Sequence, residues 1–334
     1  MITDARPLQP EFVPQDVKHR DGEINALTST LRPILDGNHA EPALLYGSSG
    51  TGKTCIARYA VDQLRREVID LDTQYVNCWE DYTRFKALYR VLEGLNQSFD
   101  VHRQSTPRDE LLDRLRDAID DPYVVILDEV DQLEEKGVLY DLNRTRGLSL
   151  ILIANADEAL FADLEERVAS RLQTASRIHF RSYHTDELAA ILEDRVRWGL
   201  HAEAVTDEQL HWIADAAAGD ARVAIGTLRA AAQNADQQGL ESLKDEMVRE
   251  AAPVAKAEIT RKNIEKLNDH QKVLYDIICD CDGVRPNELN EEYRDAMEEP
   301  KSDRTVRNYL QKMRRYNLVK AQGEGRNRTY HLNS

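Results

Sequence analysis

The sequence predicts an α/β protein in which a parallel β-sheet with helices on both faces is followed by a helical domain and then by an α+β domain. Three observations predict this arrangement. Short apolar runs alternate with helical patterns as far as residue 180, residues 183–252 are rich in Ala, Leu and Glu without a convincing strand, and the end of the chain turns from helical patterns into a strand pair. We expect the three domains to span residues 1–181, 182–255 and 263–334.

The first domain is predicted from apolar runs at residues 43–46, 74–77, 123–127 and 148–153. Continuous runs of this length, separated by helical patterns, are typical of strands in a parallel sheet that is covered on both faces. After the second domain, the charged residues 256–262 predict either a linker or a helix that continues through them.

A glycine-rich loop follows the first predicted strand and precedes a helix-forming segment. Residues 47–54 fit the pattern G-x-x-x-x-G-K-[ST], in which backbone N–H groups and the N-terminus of the new helix surround phosphates. In this P-loop, Lys53 reaches the β- and γ-phosphates, and the hydroxyl of Thr54 ligates Mg²⁺. We therefore predict an ATP or ADP site with Mg²⁺, and the loop residues expected to bind the nucleotide are Gly47, Gly50, Thr51, Gly52, Lys53, Thr54 and Cys55.

Polar side chains at the ends of the next strands complete the predicted site. The third apolar run ends in Asp128 and Glu129. Beside a P-loop, Asp128 is placed to hold Mg²⁺ through water and Glu129 to polarise the attacking water. Asn155 follows the fourth run, where it either orients that water against the γ-phosphate or caps the next helix.

The end of the chain predicts a winged helix-turn-helix. Residues 302–317 read as a helix with a Ser or Asp cap and one apolar face, and two short strands with a Gly-containing turn follow as a wing. Such a domain inserts its last helix into the major groove of double-stranded DNA, while the wing contacts the backbone or the minor groove. The residues expected to contact DNA are Arg304, Arg307, Asn308, Arg314, Arg326 and Arg328. A solvated basic helix, or a winged domain that binds protein, is the alternative.

The distribution of charge agrees with a DNA-binding end. The net charge is −16, but residues 301–334 carry nine basic and two acidic residues, which gives +7 there and −23 for residues 1–300. Only 12 of the 44 basic residues are lysine, and an acidic, lysine-poor surface suits a salt-rich cytoplasm, so we predict a halophilic source. Neither a membrane-length apolar run nor a signal peptide is visible, which predicts a cytoplasmic, nucleoid-associated protein without a membrane partner.

Several short stretches make the sequence resemble a known family. They are residues 14–21, the P-loop, residues 127–131 and residues 219–224. Together they resemble the archaeal origin-recognition and cell-division-control family of AAA+ replication initiators, which is related to the largest subunit of the eukaryotic origin recognition complex. The P-loop and the Asp-Glu pair are common to all AAA+ proteins, whereas His19-Arg20 and the Gly-Asp-Ala-Arg stretch followed by a winged helix are more particular to initiators.

The resemblance implies an AAA+ P-loop domain with a helical lid domain, followed by an α+β winged-helix domain. It implies an ATP-switched, slowly hydrolysing initiator that binds origin DNA, helps to recruit the replicative helicase and meets other initiator copies. It further implies that Arg222 touches the γ-phosphate from the lid, and that Tyr183 and Arg195 contact the nucleotide there. Arg171, or alternatively Arg167, would project as an arginine finger into the nucleotide site of a neighbouring copy. For Arg222, Arg195 and Arg171, the alternative to these roles is a surface salt bridge.

Two other classes of ATPase remain possible from the sequence. One is an AAA+ helper of transposition or plasmid maintenance, and the other is a signalling ATPase that uses a winged helix for regulation. Helpers usually lack the wing, and signalling ATPases usually continue into long sensor repeats. The chain has a predicted wing and no such repeats, which favours the initiator.

Overall fold

The computed structural model describes residues 1–99, 101, 107–162, 164–281, 283–323 and 328–333. The chain divides into two compact units, Met1–Ala252 and Pro253–Ser334. None of the helices in the described part of the chain is both long and apolar enough to cross a membrane.

The first unit contains a parallel sheet of five strands in the order β2-β3-β4-β1-β5. The strands are β1 (Ala43–Tyr46), β2 (Asp72–Asn77), β3 (Tyr123–Asp128), β4 (Leu148–Ala154) and β5 (Ser176–His179). The four predicted strands are confirmed, and β3 and β4 are buried along their whole length. The sequence did not predict β5, because this edge strand buries only Ile178 and therefore shows no apolar run.

Helices cover both faces of this sheet. They are α1 (Asp21–Leu31), α2 (Lys53–Glu67), α3 (Arg84–Glu93), α4 (Arg108–Ala118), α5 (Gly137–Asn143), α6 (Asp157–Ala162) and α7 (Glu166–Leu172). Successive residues of β3 point to opposite faces, so Val124 packs in the apolar cluster of α1 and α2, while Val125 packs in the cluster of α3, α4 and α5. This arrangement leaves the carboxyl ends of β1, β3 and β4 at one edge of the sheet, where the predicted polar residues lie.

A helical lid follows the sheet. Its helices are α8 (Thr185–Gly199), α9 (Asp207–Ala216), α10 (Ala221–Gln237) and α11 (Asp245–Glu265), and residues 253–265 of α11 belong to the second unit. Leu188, Leu192, Ile213 and Leu228 are fully buried in a third apolar cluster that these helices form. Helix α11 continues through Pro253, so the charged segment at residues 256–262 is helical, as one of the two sequence interpretations proposed.

The first residues of the chain pack against the lid, although the predicted first domain placed them with the sheet. Ile2 forms a β-bridge with Leu200, the backbone N–H of Thr3 donates to the carbonyl of Gly199, and Leu8 is buried in the lid cluster. These partners lie almost 200 residues away along the chain, so no local sequence pattern could indicate them.

In the described part of the second unit, the end of α11 is followed by three further helices and an antiparallel strand pair. They are α12 (Asp269–Asp280), α13 (Pro286–Ala296), α14 (Asp303–Arg315), β6 (Val319–Gln322) and β7 (Thr329–Leu332). The Ser302 hydroxyl caps α14 by accepting from the backbone N–H of Thr305 at 3.3 Å. The apolar face predicted for this helix is buried, and its members are Val306, Tyr309, Leu310 and Met313.

Candidate functional site

The loop between β1 and α2 requires glycine at several positions. Gly47, Gly50 and Gly52 have φ angles of 147°, 75° and 92°, a region that favours glycine. A Cβ atom added to Gly47 would lie 2.1 Å from the carbonyl oxygen of Phe180, and one added to Gly50 would lie 1.9 Å from a carboxylate oxygen of Asp220. The loop therefore wraps as a phosphate-binding loop must, and a lid residue already packs against it.

Lys53 and Thr54 begin α2 with their functional groups at the loop. The Lys53 ammonium donates to the carbonyls of Gly47 at 2.6 Å and Ser48 at 2.7 Å. Burial lowers the pKa of Lys53 from 10.5 to about 8, although the charge of Asp128 opposes that shift. The Thr54 hydroxyl donates to Asp128 Oδ2 at 2.7 Å, so two hard oxygen donors of the kind that Mg²⁺ prefers lie together. The site therefore fits a metal ion that phosphate oxygens and water complete.

The two acidic residues after β3 have different environments. The Asp128 carboxylate is buried and accepts hydrogen bonds from Thr54, from the Tyr75 hydroxyl at 2.9 Å and from the Glu129 N–H at 2.9 Å. Glu129 has a φ of 56°, which is uncommon for a residue other than glycine and is often found at functional sites. Asp128 is thus fixed in one orientation, while Glu129 turns out of the strand towards the cavity beside it.

These groups line a cavity of about 210 Å³ between the sheet edge, the lid and the first residues of the chain. Lys53, Asp128, Glu129 and the half-buried Asn155 are among its polar lining residues. Its apolar lining residues are Pro10, Phe12, Pro14, Val17, Ile191, Trp198 and Ile225. A cavity that offers polar groups for phosphates and aromatic and aliphatic side chains for a flat base suits a nucleotide.

The N-terminus of α10 joins the lid to the P-loop. The backbone N–H of Ala221 donates to the Gly50 carbonyl at 3.0 Å. Arg222 lines the cavity, where its guanidinium lies 3.1 Å from the Asp220 carboxylate and its charge contributes to the lowered pKa of Lys53. Arg222 therefore lines the same cavity as Lys53, and its contact with the γ-phosphate stays a prediction.

Tyr183 and Arg20 connect the P-loop to the segment that leads into the lid. Tyr183 lines the cavity, and its hydroxyl would lie 2.6 Å from a Cβ atom on Gly52. The Arg20 guanidinium lies 4.0 Å from the Tyr183 ring centroid and donates to the carbonyls of Thr51 at 3.0 Å and Arg181 at 2.7 Å. Sequence reasoning assigned no role to Arg20, and its only signal was its place in a stretch that resembles initiators.

Arg195 connects the lid to the first residues of the chain. Its guanidinium donates to the backbone carbonyls of Pro7 at 2.7 Å and Phe12 at 3.2 Å, and it lies 4.9 Å from the Phe12 ring centroid. Arg195 also lines the cavity, as does the half-buried Cys55, whose thiol has a raised pKa because it is buried. Arg195 thus holds the N-terminal wall of the cavity, and its direct contact with nucleotide stays a prediction.

The two candidate arginine fingers lie on α7 and are not among the cavity-lining residues of their own chain. Both side chains are exposed. Arg167 pairs with Glu165 at 2.8 Å and lies 5.5 Å from the Tyr140 ring centroid, whereas no ion pair of Arg171 occurs among the described residues. Which of the two arginines acts as the finger stays a prediction.

The residues expected to contact DNA lie in the second unit. The side chains of Arg304, Arg307, Asn308 and Arg314 are exposed on α14, and Arg328 is exposed just before β7. Arg326 lies outside the described residues.

An ion pair between Arg181 and Glu187 joins the end of the sheet to the first lid helix, with nitrogen and oxygen 2.5 Å apart. The Glu187 carboxylate also accepts from the backbone N–H of His184 at 2.9 Å. The hydrogen bond from Arg181, with that from His184, lowers the pKa of Glu187 from 4.5 to about 2.

This lowered pKa predicts a pH-dependent contribution to stability. A carboxylate whose pKa is lower in the folded than in the unfolded chain stabilises the fold fully above pH 4.5 and loses that effect as the pH falls towards 2. We expect Glu187→Gln to lower the melting temperature most at pH 6–7 and progressively less towards pH 3. The exposed Glu241 provides the control, since Glu241→Gln should have a small effect at every pH. A deficit for Glu187→Gln that is the same at pH 3 and pH 7 would contradict the assignment.

Comparison with known proteins relates this geometry to a family. The profile for an AAA domain matches residues 36–160, and the profile for a Cdc6 AAA+ ATPase-type lid domain matches residues 189–253. ORC1-type DNA replication protein 1 of Halobacterium salinarum is 52% identical over 308 residues, which cover 92% of this chain and all of that protein. The chain belongs to the ORC1-type DNA replication proteins. A second member from the same organism, ORC1-type DNA replication protein 9, is 45% identical over 99% of this chain and 94% of its own length.

Solved structures of ORC proteins have the same fold. The ORC1 protein of Aeropyrum pernix, determined in complex with DNA, matches all of this chain and 94% of its own length with a TM-score of 0.79 and 25% identity. The ORC2 protein of the same organism, determined in ADPNP–ADP complexes, matches 99% of this chain and 94% of its own length with a TM-score of 0.66 and 22% identity. The AAA+ fold and the resemblance to archaeal initiators are thus confirmed, and the relatives from a halophile agree with the acidic composition.

Proposed function

We propose that this ORC1-type protein is an ATP-controlled initiator that binds origin DNA and helps to recruit the replicative helicase. The observation that carries the proposal is the cavity that brings the P-loop, the Asp128–Glu129 pair, Asn155 and the lid residue Arg222 together. Membership of a family of replication proteins supports a role in initiation and does not favour a transposition helper or a signalling ATPase.

The nucleotide site would work through distinct residues of the chain. Lys53 and the loop N–H groups hold the phosphates, while Thr54 and Asp128 hold Mg²⁺, which supplies charge neutralisation for the phosphates when it is bound. Glu129 accepts a proton from the attacking water, and Asn155 orients that water. Arg222 stabilises negative charge on the γ-phosphate from the lid.

The same geometry supports the proposal that ATP acts as a switch. The cavity is lined by residues of the sheet, of the lid and of the first residues of the chain, so a bound nucleotide stabilises the arrangement in which all three meet. Slow, Mg²⁺-dependent hydrolysis would then return the protein to its other state. Arg171 would act in trans, because its exposed side chain lies away from the cavity of its own chain and is available to another initiator copy.

The second unit would bind double-stranded DNA at the nucleoid. Helix α14 exposes Arg304, Arg307, Asn308 and Arg314 on the side opposite its buried face, as the recognition helix of a winged-helix domain does. The strand pair β6–β7 takes the place of the wing, with Arg328 at its edge. The complex of the related Aeropyrum pernix ORC1 protein with DNA supports this role.

Fluorescence anisotropy across a salt series tests the DNA-binding role and separates the helix from the wing. The DNA is a duplex selected from random sequences by the wild-type protein, compared with a scrambled duplex. We expect Arg307→Ala to weaken binding of the selected duplex by about 1–3 kcal/mol, because base contacts specify sequence, and to affect the scrambled duplex much less. We expect Arg328→Ala to weaken both duplexes similarly and to flatten the salt slope by about 0.9, the value for one lost phosphate contact.

Arg66→Ala is the matched control, because Arg66 is an exposed arginine in the first unit. It should change neither the affinity nor the slope. If Arg307→Ala and Arg328→Ala behave like this control, α14 and the strand pair do not touch DNA and the proposed role of the second unit is wrong.

A further inference from the structure

A tyrosine on the neighbouring strand holds the carboxylate expected to bind the metal. Tyr75 on β2 pairs with Ile126 on β3, and Asp128 lies two residues further along β3, hence on the same face of the sheet. From this position the Tyr75 hydroxyl donates to Asp128 Oδ2 at 2.9 Å. No motif in the sequence marks Tyr75, because the run that contains it reads only as a buried strand.

Helix α2, which follows the P-loop, holds the ring of Tyr75 in place. The Arg58 guanidinium lies 4.1 Å from the Tyr75 ring centroid, a distance at which a cation attracts the ring face. Arg58 follows Thr54 by four residues in α2, so both lie on the same side of that helix. One helix therefore provides both the hydroxyl expected to ligate the metal and the cation that fixes the tyrosine.

The hydrogen bonds on Asp128 show what the tyrosine contributes. Oδ2 accepts from Thr54 and Tyr75, and Oδ1 accepts from the Glu129 N–H. The donor from Glu129 comes from the adjacent peptide, and the donor from Thr54 is itself an expected metal ligand. Tyr75 is thus a donor that orients the Asp128 carboxylate without being an expected metal ligand itself. Hydrogen-bond partners of metal ligands commonly have this role.

We propose that Tyr75 is a positioning residue for the metal, because its hydroxyl orients the Asp128 carboxylate for Mg²⁺ and Arg58 holds its ring. This role rests on the proposed function, since it requires Mg²⁺ and nucleotide to bind in the same cavity. Loss of the Tyr75 hydroxyl should therefore weaken nucleotide binding only when Mg²⁺ is present. Loss of a merely structural hydroxyl would weaken it equally with and without Mg²⁺.

The experiment measures binding of a fluorescent ADP analogue to the full chain, once in EDTA and once across a Mg²⁺ titration. Tyr75→Phe keeps the ring and removes the hydroxyl. We expect the affinity of this variant for the analogue in EDTA to stay within about twofold of wild type. The Mg²⁺ concentration at which half of the Mg²⁺-dependent increase in affinity is reached should rise on the order of tenfold. Arg58→Ala leaves the hydroxyl but frees the ring, so it should shift the same concentration in the same direction by a smaller factor.

Tyr123→Phe is the matched control. It removes a phenolic hydroxyl from the neighbouring strand of the same sheet, one that donates to the carbonyl of Val91 rather than to the metal site, and should leave the Mg²⁺ titration unchanged. Equal loss of affinity with and without Mg²⁺ in Tyr75→Phe, or an unchanged Mg²⁺ titration, would overturn the proposal. Wild-type protein that binds no nucleotide in either condition would refute the proposed function as well.

Discussion

Replacing Glu129 with glutamine is expected to preserve nucleotide binding and to reduce single-turnover ATP hydrolysis by about a hundredfold or more, since general-base catalysis contributes about 10²–10⁴-fold. The exchange removes the basic oxygen and hardly changes the shape of the side chain. The backbone N–H of Glu129 still donates to Asp128, so the metal-binding carboxylate keeps its orientation. The variant should therefore hold ATP without consuming it.

Lys53→Ala is the comparison for this experiment, because Lys53 is buried against the loop and would hold the phosphates directly. It should lose nucleotide binding as well as hydrolysis. Equilibrium binding and single-turnover hydrolysis, measured on both variants and on wild type, separate the two roles. Undiminished hydrolysis in Glu129→Gln would remove the assignment of Glu129 as the base.

Replacing Arg171 with alanine is expected to bring ATP hydrolysis down to background while nucleotide binding is kept. An arginine that stabilises transition-state charge in phosphoryl transfer contributes about 10³-fold or more. Arg171 is exposed and does not line the cavity of its own chain, so we expect it to act on the nucleotide of a second copy. Arg167→Ala is the matched control, because Arg167 lies on the same helix but pairs with Glu165.

Mixing two inactive proteins tests the action in trans. Lys53→Ala protein binds no nucleotide but still presents Arg171, and Arg171→Ala protein binds nucleotide but lacks the arginine. The mixture should recover part of the wild-type hydrolysis, which neither protein shows alone. If Arg171→Ala hydrolyses ATP at the wild-type rate, Arg171 is not the finger; if Arg167→Ala loses hydrolysis instead, Arg167 is.

The chemistry of the site follows from local sequence patterns. A P-loop is a continuous segment whose glycines, lysine and hydroxyl act together, so residues 47–54 indicate a phosphate site before any fold is known. Buried parallel strands are apolar runs, and their ends are marked by polar residues such as Asp128 and Asn155. The amphipathic pattern of α14 is equally local, which is why its buried and exposed faces were predicted correctly.

The sequence by itself thus determined the class of fold and predicted the P-loop, Asp128, Glu129 and Asn155 as residues of one site, whereas only the tertiary structure decided which other residues line the cavity with them. Arg195 bonds to Pro7 across 188 residues, Arg20 to Arg181 across 161, and Tyr75 to Asp128 across 53. The edge strand β5 shows no apolar run, and the first residues of the chain carry no pattern that assigns them to the lid. Contacts of this kind join residues of ordinary type that are distant in sequence, so their roles depend on which elements the folded chain brings together.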